Sequence, residues 1–170
     1  MRSLLMLSLL LATSSAIAAD INITVGIPTI DASEYHRPYV AVWIENADQT
    51  VAANLAVWYS QKDSKEGAGS KWLADLRQWW RRSGRDQAMP IDGVSGATRP
   101  VGQHQLRFDA GKPPFAALKP GRYGLVVEAA REVGGRELLR IPFDWPITAT
   151  RHLDTRGEHE LGLIKLDLNP

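Results

Sequence analysis

Apolar residues take every second position at Ile21, Ile23, Val25 and Ile27, with Asn22 and Thr24 between them. That period of two predicts a half-buried strand, and Pro28 ends it. The stretch 39–45, Tyr-Val-Ala-Val-Trp-Ile-Glu, is almost continuously apolar and rich in β-branched and aromatic residues, which predicts a buried strand. Asn46-Ala47-Asp48 is a turn signal, so Val51–Tyr59 returns as the second strand of a hairpin, with Trp43 and Trp58 available to the core.

The period then changes. Trp72, Leu73, Leu76, Trp79 and Trp80 are spaced by three and four across 71–82, which predicts one amphipathic helix with Ser70 as its N-cap and Arg81 and Arg82 at its negative end. Alternation resumes over Gly102–Asp109, with Leu106 and Phe108 inward. Strands are predicted at 123–131 and 137–143, joined by the hairpin signal Val133-Gly134-Gly135. The segment 149–157 reads as polar loop, and 158–167 supplies a last strand. About seven strands and one inserted helix rule out alternating βαβ units. They predict a mainly β fold, an immunoglobulin-like antiparallel β-sandwich with a helical insertion around 71–82.

The first eighteen residues stand apart from this pattern. Arg2, the apolar run from Leu4 to Ala12 and the small-x-small site Ala16-Ile17-Ala18 form a secretory signal peptide, too short in its core to span a membrane. Cleavage there leaves 19–170 as a single exported domain, expected in the periplasm. Losing Arg2 leaves nineteen basic against nineteen acidic residues, so nothing favours nucleic acid as a partner. The chain has no cysteine, which excludes disulfides, thiolate metal sites, a cysteine nucleophile and c-type haem attachment.

Between the predicted helix and the next strand lies Asp92-Gly93-Val94-Ser95-Gly96-Ala97-Thr98. Asp-Gly and Ser-Gly are ordinary turn dipeptides. The whole string, however, resembles Asp-x-x-Ser/Thr-Gly-Ala/Ser-Thr, the pattern on which a bacterial FMN transferase attaches FMN to the final threonine. At average residue usage the pattern arises in roughly one chain of this length in a thousand. Gly96 and Ala97 keep bulk off the backbone before Thr98, and Asp92 and Ser95 can shape the turn through side-chain hydrogen bonds.

The chain also resembles a family of predicted periplasmic proteins, domain of unknown function 2271. The matching blocks are Tyr39-Val40-Ala41-Val42-Trp43-Ile44, Leu73-Ala74-Asp75-Leu76 with Trp79-Trp80, Ser95-Gly96-Ala97-Thr98, Pro120-Gly121-Arg122-Tyr123 and Val127-Glu128-Ala129-Ala130-Arg131-Glu132. Members resemble redox accessory proteins associated with FMN transferases and with membrane proteins carrying peptidase-propeptide-like domains. The resemblance implies FMN held covalently on Thr98 by a phosphodiester and taken from FAD with magnesium. The chain would then be a carrier that exchanges electrons with a membrane-bound redox protein, rather than a catalyst. Arg99 would offset the phosphate, with Arg81, Arg82 and Arg85 as further candidates, and Trp79 or Trp80 would stack on the ring.

Plainer readings stand beside these. Tryptophans at helical spacing are ordinarily core, and arginines at a helix end are ordinarily solvated. An alternative function is an unmodified immunoglobulin-like binding or adaptor domain. A weaker third is metal handling by His152 and His159 with Asp154 and Glu158, although no tight ligand spacing supports it. Ser95 is not in a nucleophile elbow, which would need glycine at Ala97. Glu128 and Glu132 read as surface charges flanking a hairpin.

Overall fold

A computed structural model describes residues 19–63, 65 and 67–170. The signal segment 1–18 lies outside the described residues. Among the described residues, nine strands run in chain order: β1 (Asp20–Ile27), β2 (Tyr39–Asn46), β3 (Val51–Tyr59), β4 (Ser95–Ala97), β5 (Gly102–Asp109), β6 (Gly121–Ala130), β7 (Arg136–Trp145), β8 (Arg151–Arg156) and β9 (Leu163–Asn169). They form a four-stranded sheet in the order β5-β1-β9-β8 and a five-stranded sheet in the order β4-β3-β2-β6-β7.

The two sheets close on a common core to form a sandwich. Ile21, Ile23 and Val25 from β1 meet Val40, Val42 and Ile44 from β2, Leu125 and Val127 from β6, and Ile164 and Leu166 from β9. The expected hairpins are present, β2 pairing with β3 and β6 with β7.

The five-stranded sheet is covered on its other face as well. Ala41 and Trp43 of β2, Val57 and Tyr59 of β3, and Val126 and Ala130 of β6 pack under Leu73, Leu76 and Trp79 of the insertion. Burial on both faces explains why β2 carries an almost unbroken apolar run instead of an alternation. The insertion therefore lies across the outside of the sandwich and delivers the chain to Thr98.

Four expectations need correction. The helix predicted over 71–82 is two elements, a 3-10 helix at Gly69–Asp75 and a short α-helix, α1 (Arg77–Arg82), separated at Leu76. Ser70 does not cap it; the residue before the 3-10 helix is Ala68, with no side-chain cap. The polar segment 149–157 contains β8, an edge strand on which Leu153 alone packs against the core cluster. The last strand starts at Leu163, because 158–161 is held in a turn by Glu137. The motif also departs from a plain loop: Ser95–Ala97 forms β4, which pairs parallel to β3 in an otherwise antiparallel sheet.

Candidate functional site

The motif opens on a tight turn. The backbone amides of Val94 and Ser95 both donate to the Ile91 carbonyl, at 3.2 and 2.9 Å, and Ser95 Oγ accepts from the Ile91 amide at 2.9 Å. Gly93 sits at φ +68°, a left-handed conformation that glycine adopts without strain. Ser95 therefore shapes the turn as expected, whereas Asp92 is exposed and makes no side-chain hydrogen bond among the described residues.

From there the backbone zips onto β3. Val57 donates to Val94 at 2.9 Å, and Thr98 donates its amide to Tyr59 at 3.2 Å. Gly96 lies opposite Trp58, where an added Cβ would come within 3.3 Å of the indole. Ala97 is exposed, and Thr98 is half-buried.

Thr98 lines a groove of about 620 Å³, within the ~300–1,000 Å³ range usual for small-molecule and cofactor sites. The insertion contributes Trp72, Asp75 and Arg77 to its lining. The β6–β7 turn from Ala130 to Arg136 also lines it, together with Tyr39 and Ser60. The loop before β2 adds His36 and Arg37.

The β6–β7 turn is tied down by ion pairs and hydrogen bonds. Arg131 forms a bidentate pair with Glu160, Nε to Oε2 at 2.9 Å and Nη2 to Oε1 at 3.1 Å, and the Gly135 amide donates to the same carboxylate at 2.8 Å. A Cβ on Gly134 would lie 2.5 Å from the Arg131 guanidinium carbon, so a side chain there would have to displace this cation from Glu160. Arg136 pairs with Glu128 at 2.8 Å. His36 bridges Glu34 at 3.2 Å and Glu132 at 3.5 Å, tying the loop before β2 to the turn. Burial raises the pKa of Tyr39, whose hydroxyl donates to the Gly69 carbonyl at 3.0 Å and so ties β2 to the insertion.

The remaining ring and phosphate candidates lie elsewhere. Trp79 is fully buried and donates Nε1 to Asn54 at 2.8 Å, so it offers no face to a ligand. Trp80 is half-buried against the outer cluster and does not line the groove. Arg99 lies over the ring of Trp58, 5.3 Å from its centroid. Arg82 is committed to Glu45 and Gln49, Arg81 to Gln78, and Arg85 faces Asp86. The groove's own arginines, Arg37, Arg77, Arg131 and Arg136, come from sequence positions too scattered for any spacing rule to gather.

Glu128 is another correction. It is fully buried, and its carboxylate accepts from the backbone amides of Gln78 and Trp79 at the start of α1. Among the described residues, no group of three or more His, Asp and Glu side chains converges on a metal-sized site, and His152 instead contacts Asp167 at 2.7 Å.

Residues 20–163 match the family described as "Predicted periplasmic protein (DUF2271)", and the chain belongs to it. Neither the curated proteins nor the solved structures yield a match.

Proposed function

We propose that the protein is an exported electron-transfer carrier with FMN joined to Thr98 Oγ1 by a phosphodiester. The observation that carries this reading is that Thr98, the last residue of the Asp92–Thr98 pattern, stands on a ligand-sized groove with an exposed tryptophan and four arginines. The motif also occupies the edge of its sheet, so one side of the β4 backbone has no neighbouring strand. The family's description as periplasmic agrees with an export signal cleaved after Ala18.

In the transfer, Thr98 Oγ1 forms a new bond to the FMN phosphorus of FAD. The pyrophosphate bond breaks, AMP leaves, and the hydroxyl proton passes to the transferase or solvent; magnesium is held by that enzyme. The product keeps a negative phosphate, and Arg37 and Arg77 are the groove cations without an ion-pair partner among the described residues. The flavin supplies the redox chemistry once attached. The chain's residues position it, screen its phosphate and leave one side open to a membrane-bound donor carrying a peptidase-propeptide-like domain.

Intact mass after co-expression with an FMN transferase tests the reading. The parent chain gains FMN less one water, and Thr98→Ala gains nothing. An unmodified parent beside an active transferase would leave the runner-up, an unmodified binding domain using the same groove. The pairing of Thr98 to Tyr59 favours that second reading, because it restrains the acceptor backbone.

A further inference from the structure

Trp72 is the only exposed tryptophan among the described residues, and it lines the same groove as Thr98. Lys71 Nζ lies 4.8 Å from its ring centroid. Val133, the most exposed large hydrophobic side chain among the described residues at 82 %, lines the same groove. Val133 has φ +52°, a left-handed conformation that β-branched residues avoid, and it holds this apolar side chain at the tip of the turn.

The charges divide in a similar way. Arg131 and Arg136 are neutralised by Glu160 and Glu128, whereas Arg37 and Arg77 have no ion-pair partner among the described residues. Asp75 and Glu132 also line the groove, so it is not a general anion trap. An exposed indole, an exposed apolar turn tip and two uncommitted guanidinium groups on one groove suit a planar aromatic ligand bearing one phosphate.

We propose that this groove binds the flavin itself, with the isoalloxazine against Trp72, Val133 shielding its outer side, and Arg77 and Arg37 pairing with the phosphate. The inference rests on the flavin reading of Thr98 but not on the covalent bond. The seat exists without the linkage, and the linkage then fixes what the seat has already oriented.

The test uses the mature chain carrying Thr98→Ala, titrated with FMN and with riboflavin. FMN binds with quenching of flavin and tryptophan emission, and more tightly than riboflavin. Adding Trp72→Ala weakens both ligands about threefold to tenfold, the worth of one aromatic stack, while Trp72→Phe retains most of the binding. Adding Arg77→Ala and Arg37→Ala reduces the preference for FMN over riboflavin about tenfold and leaves riboflavin binding unchanged. No FMN binding, equal affinity for both ligands, or binding and emission indifferent to Trp72→Ala would overturn the seat. Attachment is read separately by mass. A chain that gains FMN mass without any dependence on Trp72 keeps the carrier function and loses only this seat. One that binds FMN through Trp72 but gains no mass keeps the seat and loses the linkage.

Discussion

A buried carboxylate is costly unless its oxygens are filled, and Glu128 fills them with Arg136 and two backbone amides. Those amides belong to the first turn of α1, which otherwise ends without a side-chain cap. Glu128→Ala leaves both donors without their acceptor and should cost about 3 kcal/mol, at roughly 1–3 kcal/mol for each orphaned group. Urea unfolding followed by far-ultraviolet circular dichroism measures it, and a loss under about 1 kcal/mol would contradict the cap. Val133 works in the opposite direction. Its left-handed backbone costs ~1–2 kcal/mol, so Val133→Gly should raise the melting temperature despite glycine's greater entropy when unfolded. An unchanged or lower melting temperature would argue against strain at the tip.

At the scale of elements, Glu137 of β7 organises the turn into β9. Burial pushes its pKa up, but four amides, from Glu158, His159, Glu160 and Leu161, outweigh that and hold it below the ordinary glutamate value. A carboxyl with a lowered folded pKa stabilises fully above its unfolded value, about 4.3, and loses that contribution as pH falls through the lower folded value. Glu137→Gln should therefore lower stability at pH 7, with the gap to the parent closing below about pH 4. A gap that stays constant with pH would assign the effect to shape rather than charge. The insertion has its own tight point at Gly84, where a Cβ would lie 2.4 Å from the buried ring of Trp79. Gly84→Ala should destabilise by ~1–3 kcal/mol, the usual cost of overpacking, and loosen the insertion before the sandwich, as hydrogen exchange would show.

Local patterning explains which elements could be read from sequence. β1, β2, β3 and β5 were legible because each carries its burial in its own alternation or apolar run. β8 was hidden because it is an edge strand with a charged outer face and little core contact. The break at Leu76 has no local signal either. The group anchoring the new helix start is Glu128, on a strand about fifty positions further along the chain.

Across the whole molecule, the candidate site is assembled from the loop before β2, the insertion, the motif and the β6–β7 turn. Sequence alone could single out Thr98, since its motif is contiguous. It could not select Trp72 over Trp79, because both fit one helical stripe until the break at Leu76 leaves Trp79 buried and Trp72 exposed. Nor could it find Arg37 and Arg77 as the uncommitted cations, since that depends on which arginines the buried glutamates engage. The central claim remains the linkage at Thr98. The most direct measurement is peptide mass mapping of the protein recovered from its native periplasm. The account predicts FMN on the peptide spanning 92–98, fragmenting to Thr98; the same peptide found unmodified in cells whose other flavinylated proteins carry FMN would contradict it.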